Sequence, residues 1–104
     1  MLGPGLLESV YEQCVAYELQ SRAVSVRRQA SMPVIYEGVK IDGGYRIDIL
    51  VEDLIVIEIK AVDALARIHE AQILTYLRLS GCRLGILMNF NVSLFKQGVR
   101  RLIL

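Results

Sequence analysis

Tyr45-Arg46-Ile47-Asp48-Ile49-Leu50-Val51 and Leu54-Ile55-Val56-Ile57-Glu58-Ile59-Lys60, separated only by Glu52-Asp53, decide how this chain folds. Both runs alternate with the period of two that a strand requires. Tyr45, Ile47, Ile49 and Val51 are expected on one face of the first run, with Arg46, Asp48 and Leu50 on the other. In the second run Ile55, Ile57 and Ile59 form an apolar face, and Glu58 and Lys60 point the other way. The connection decides whether the charged residues meet. A two-residue turn at Glu52-Asp53 pairs Val51 with Leu54 and sets Asp48 beside Ile57, which wastes both apolar faces. A three-residue loop of Glu52-Asp53-Leu54 pairs Val51 with Ile55, Asp48 with Glu58 and Arg46 with Lys60. We expect the three-residue loop, because opposed Cβ atoms then lie about 4.5–5.5 Å apart and two carboxylates can share one cation.

Upstream of this hairpin, Gly3-Pro4-Gly5 is a breaker, and Pro4 suits the first position of a helix. Leu7, Val10, Cys14 and Tyr17 recur at helical steps, so a helix from about Pro4 to Arg22 is expected to bury that face and turn Glu12, Gln13 and Gln20 outward. Alternation then resumes through Val26, Val34, Ile35 and Tyr36, broken by Glu37-Gly38, as in a hairpin. Pro33 places the first strand at the sheet edge, and Gly43-Gly44 predicts a bulge or bend in the returning strand. Downstream, Leu65, Ile68, Gln72, Tyr76 and Leu79 make a helical stripe ended by Ser80-Gly81. Leu84-Gly85-Ile86-Leu87-Met88 is apolar on both faces, as a buried strand reached by a parallel crossover would be. Ser93 to Gln97 is expected to form one helical turn, and Val99 to Leu104 a last strand. The resulting class is α/β, a mixed sheet with an antiparallel meander and one parallel crossover.

Composition agrees with one domain over residues 1–104. The apolar fraction is 54% and the mean hydropathy +0.43, too apolar for a disordered chain. The strongest apolar run stops at Glu58, far short of the about 18 residues of a membrane span, and no signal peptide precedes Gly3. Cys14 and Cys82 lie at no zinc-ligand spacing and read as reduced core residues, which makes the cytoplasm the expected compartment. A net charge of +1 gives no global pull on nucleic acid, so function must come from a site.

Asp48, Glu58 and Lys60 are the candidates for that site. Charges at alternating strand positions usually mean a solvated face with a cross-strand ion pair. Two adjacent carboxylates in a partly buried place, however, repel, and either one keeps a proton or a divalent cation sits between them. Carboxylate oxygens favour magnesium or manganese, and a neighbouring lysine can orient water and offset charge on a phosphate, which suits phosphodiester hydrolysis. Glu8, near the first turn of a helix, has a quieter role open to it in the helix dipole. Gln72 and Tyr76, one turn apart, can be site residues or polar tips packed on the sheet. His69 reads as structural. The pairs Arg27-Arg28 and Arg100-Arg101 are either solvated charge or phosphate contacts.

Asp48, nine intervening residues and Glu58-Ile59-Lys60 resemble the signature of the PD-(D/E)XK nuclease superfamily, with Ile47 in place of its proline. Gln72-Ile73-Leu74-Thr75-Tyr76 is similar to the Q-x-x-x-Y motif of the RecB-like branch, and Gly5, Glu8 and Tyr11 match the motif naming the GxxExxY family. The likeness runs from about Leu2 to Leu104. It implies a restriction-endonuclease-like αβββαβ core. It implies that Asp48, Glu58 and the Ile59 carbonyl, with Glu8, hold magnesium or manganese, that Lys60 orients water, and that Gln72 and Tyr76 position the nucleophile or the DNA backbone. Relatives carry a further helix ahead of Leu2, so the resemblance also implies apolar surface left for a second copy, a homodimer. The expected function is a magnesium-dependent nuclease acting on DNA. The alternative is a non-catalytic nuclease-fold binding or assembly module.

Overall fold

The computed structural model describes residues 4–90 and 98–104. Helix α1 (Pro4–Ser21) precedes strands β1 (Val26–Tyr36), β2 (Val39–Val51) and β3 (Ile55–Lys60), then helix α2 (Arg67–Ser80) and strands β4 (Leu84–Asn89) and β5 (Val99–Ile103). The five strands form one sheet in sequence order. All neighbours are antiparallel except β3 and β4, which α2 joins in parallel. The helical turn expected at Ser93–Gln97 lies outside the described residues.

Local chemistry accounts for the connections. Glu37 and Gly38 both take positive φ, as a two-residue hairpin requires. Glu52 and Asp53 do the same, and the Leu54 N–H donates to the Val51 carbonyl at 2.8 Å, which closes the three-residue loop and pairs Val51 with Ile55. β1 is an edge strand, as Pro33 demands, and the register slips where Pro33 faces residues 42–44. Gly81 caps α2 at φ 79°, its N–H donating to Leu77. α1 ends without glycine: Ala23 takes the left-handed conformation at φ 62°, and the Val24 N–H reaches back to the Leu19 carbonyl.

Two apolar layers flank the sheet. On the α2 side Ile47, Leu50, Val56 and Leu87 pack with Ile73, Tyr76 and Leu77. On the α1 side Ile49, Val51, Ile57 and Ile59 pack with Ala16. Each fully buried isoleucine adds about 1.5–3 kcal/mol.

Four expectations are corrected. α1 buries Glu12 and Ala16, with Tyr11, Val15 and Leu19 partly covered, while Val10 (44% exposed), Cys14 and Tyr17 (69%) face outward. The helix is apolar on more than one side, so its three- and four-residue spacing did not fix which side is buried. Cys14 is therefore not a core residue, although Cys82 is. Ile68 is likewise exposed, and the buried stripe of α2 is Ile73, Tyr76 and Leu77. Finally, Ile47 and Ile49 lie on opposite sides of the sheet, because the strand changes phase at Asp48.

Candidate active site

That change of phase builds the site. β1 and β2 pair regularly on either side of Gln29 and Asp48, Arg28 with Ile49 and Ala30 with Ile47, but Gln29 itself is left-handed at φ 52°. A non-glycine residue in this conformation is strained and needs surrounding contacts to hold it. On the other edge, β2 pairs with β3 from Val51–Ile55 to Ile49–Ile57. The same register carried one step further sets Asp48 across from Glu58. There side chains take over from the backbone ladder. The Asp48 N–H donates to Glu58 Oε1 at 3.2 Å, and the Ile59 N–H donates to Asp48 Oδ2 at 2.8 Å. The expected partnering of Arg46 with Lys60 does not form, because the strands part before reaching it; Arg46 pairs with Ser31.

Glu58 is only 3% exposed. Burial first, and then the negative charge of Asp48, push its carboxyl up to about 9, against which the Asp48 N–H and the charge of Lys60 act only partly. Without a cation this carboxyl therefore holds a proton at neutral pH. A divalent cation replaces that proton most readily where oxygen donors converge, so Asp48 and Glu58 fit magnesium or manganese in donor chemistry and in electrostatics. Among the described residues no three Asp, Glu, His or Cys side chains converge closely enough to form a complete metal cage. Further donors would come from backbone carbonyls and water, as magnesium sites commonly use.

Lys60 lies on the α2 side with Glu58. Its Nζ donates to Gln72 Oε1 at 3.1 Å, and Gln72 Nε2 donates to the Tyr76 hydroxyl at 3.1 Å. Burial and the negative charge of Glu58 and Asp48 raise the Tyr76 hydroxyl to about 12, which keeps it protonated. Glu8, on the α1 side, accepts the Ala61 N–H at 3.2 Å and so ties α1 to the chain just after Lys60. It shares a cavity of about 210 Å³ with Ser9, Glu12, Arg28, Gln29 and Asp48. The fold thus brings Asp48, Glu58, Lys60, Gln72 and Tyr76 into one connected group and places Glu8 beside it rather than within it.

Three neighbours of the site escaped the sequence. Glu12, expected outside, is buried and accepts two hydrogen bonds from Arg28, at 3.0 and 2.7 Å, and one from Gln29. Gln29 Nε2 also reaches Asp48 Oδ1 at 3.3 Å, so a chain of side chains runs from α1 to the carboxylate pair. Asn89 is buried at the end of β4 and both donates to the Val62 carbonyl and accepts the Val62 N–H, pinning the segment after Lys60. The only sign of Glu12 was its place four positions, one helical turn, before the small apolar Ala16; nothing in the sequence marked Gln29. The basic pairs resolve individually: Arg27 meets Asp53, Arg28 meets Glu12, and Arg100 meets Glu70. His69 Nδ1 accepts the Ala66 N–H at the start of α2, the structural role expected of it.

A model of the PD-(D/E)XK nuclease superfamily matches residues 1–102. Among solved structures, the crystal structure of SSO0001 superposes with a TM-score of 0.73 at 20% identity, over 95% of this chain and 50% of that one. This likeness shows the fold, and the chain spans about half the length of that structure. No curated protein matches the chain. No described helix is long and apolar enough to cross a membrane.

Proposed function

The chain belongs to the PD-(D/E)XK nuclease superfamily, and on that premise we propose that it is a magnesium-dependent nuclease that hydrolyses DNA phosphodiester bonds. The observation that carries this reading is the meeting of Asp48 and Glu58 where β2 and β3 part, with Lys60 beside them. Asp48, Glu58 and the Ile59 carbonyl, with Glu8 at the margin, would hold the cation. A divalent cation there supplies positive charge against phosphate oxygens and makes a nearby water more acidic. Lys60 offsets charge that builds on the phosphate and orients the attacking water, and its bond to Gln72 fixes where its ammonium stands. Tyr76, held protonated, steadies Gln72 and offers a hydroxyl to the substrate backbone.

Gly5, Glu8 and Tyr11 favour the GxxExxY branch within the superfamily. The outward apolar side of α1, at Val10 and Tyr17, supports self-association, which sedimentation at several concentrations tests. A second reading, a nuclease-fold binding or assembly module without catalysis, is favoured by the net charge of +1, which gives little grip on DNA. Incubation with plasmid and with single-stranded DNA, in magnesium and then in chelator, separates the two. The nuclease reading expects cleavage that chelator stops and Lys60→Ala abolishes. Cleavage that survives Lys60→Ala overturns the mechanism, and absence of cleavage on every substrate favours the binding module.

A further inference from the structure

Beside Gln72 the surface opens into a cleft of about 340 Å³ lined by Tyr45, Ile68, Ala71, Gln72 and Thr75. Its helical wall is regular: positions 68, 71, 72 and 75 lie on one face of α2. Its other wall is Tyr45 of β2, whose ring meets Tyr76 edge-on with centroids 5.4 Å apart. Ile68 is 73% exposed although it stands at the start of a helix whose next turns are packed on the sheet. Ala71 adds only a methyl group to the lining, and the Thr75 hydroxyl is turned back to the Ala71 carbonyl. The cleft is thus lined by an aromatic ring, an aliphatic chain and a carboxamide. That carboxamide is the one bonded to Lys60 Nζ.

Resting on the nuclease reading above, we propose that this cleft receives one unpaired nucleobase of the strand being cut, which makes single-stranded nucleic acid, or a frayed strand end, the preferred substrate. The exposed ring of Tyr45, with the aliphatic Ile68 lining the same cleft, offers a surface on which a flat ring can stack, and only an unstacked base presents its faces in that way; the bases of a duplex are already stacked on one another. A base placed there lies one side chain from the site, because Gln72 both lines the cleft and accepts from Lys60 Nζ. The net charge of +1 points the same way. A duplex is gripped mainly through its phosphates by clustered basic residues, whereas stacking on an aromatic wall can hold a strand that electrostatics holds weakly.

Fluorescence anisotropy with a labelled short oligothymidylate, its ribonucleotide counterpart and a duplex of the same length, all in chelator so that no cleavage intervenes, tests the cleft. The single strands are expected to bind more tightly than the duplex, and comparison of the deoxy and ribo strands tells which sugar is preferred. Tyr45→Ala should weaken single-strand binding about 5- to 100-fold and Tyr45→Phe should retain it, since the ring rather than the hydroxyl makes the stack. Ile68→Asp, at an exposed site that adds an acidic residue to a helix start, should weaken it without unfolding the protein, and Leu54→Ala in the exposed loop between β2 and β3 should change nothing. Tighter binding of the duplex, no binding of either single strand, or indifference to both Tyr45→Ala and Ile68→Asp overturns the proposal. Cleavage in magnesium is scored separately. Magnesium-dependent cleavage unaffected by Tyr45→Ala removes the cleft and keeps the nuclease. Tyr45-dependent binding with no cleavage removes the nuclease and keeps the cleft.

Discussion

Replacing Glu58 by glutamine should make the metal-free protein more stable. In the unfolded chain this carboxyl ionises near 4.5, and in the fold it does so at about 9. Folding at neutral pH without a cation must therefore take up a proton. At about 1.4 kcal/mol per pH unit from the unfolded value to pH 7, this costs roughly 3 kcal/mol. The penalty is absent below 4.5, grows as pH rises, and levels off near 9. A glutamine carries no such penalty. Its carbonyl can still accept the Asp48 N–H, and its amide can donate to the Asp48 carboxylate as the protonated carboxyl does, with no proton to be taken up. Urea denaturation in chelator at about pH 5, 7 and 9 should find parent and Glu58→Gln nearly equal at the first pH and increasingly separated at the others, with the variant ahead by roughly 3 kcal/mol at pH 7. Magnesium should offset this at pH 7, because a ligand at about 100 times its Kd adds roughly 2.7 kcal/mol to the parent alone and nearly closes the gap, and at about 1,000 times its Kd it adds roughly 4.1 kcal/mol and reverses the order. A variant no more stable than the parent near pH 9, or a gap that shrinks as pH rises, would refute the reasoning.

Other perturbations test the frame around the pair. Glu12→Ala removes the acceptor of both Arg28 hydrogen bonds and one of the two acceptors of Gln29; because the Arg28 side chain is 40% exposed, the loss should be about 1–2 kcal/mol in urea melts rather than that of a fully buried ion pair, and it should also raise the magnesium concentration needed for cleavage. Gly85→Ala should cost about 1–3 kcal/mol by thermal denaturation, since an added methyl would lie 2.8 Å from Cδ1 of buried Ile73. Ala23→Gly should raise stability by up to about 1 kcal/mol, because glycine takes the left-handed cap of α1 without the strain of a side chain.

Much of the fold follows from rules that act within a few residues. Period-two alternation marks β2 and β3, and only an odd loop brings Ile55, Ile57 and Ile59 to the same layer as Ile49 and Val51, so the register across Glu52-Asp53-Leu54 was legible. Gly81 after α2, Gly38 in the first hairpin and Pro33 at the edge each declare a backbone need. What was not legible depends on contacts between distant segments. Asp48 shifts the phase of β2 because Gln29, nineteen positions earlier, is held left-handed beside it. Glu12 is buried because Arg28 comes to meet it from β1. α1 carries apolar residues on several sides, and only packing against β1, β2 and β3 chooses among them. Asp48 and Glu58 were thus readable as a pair, while the scaffold that keeps them together was not.

The central claim is that Asp48 and Glu58 jointly hold a divalent cation. Diffraction from crystals of the protein grown in manganese, recorded with wavelengths on either side of the manganese edge, tests it most directly. The account predicts an anomalous peak with oxygen atoms of both carboxylates at about 2.1 Å from it. A peak away from these side chains, or none while Glu58 still holds its proton, would contradict it.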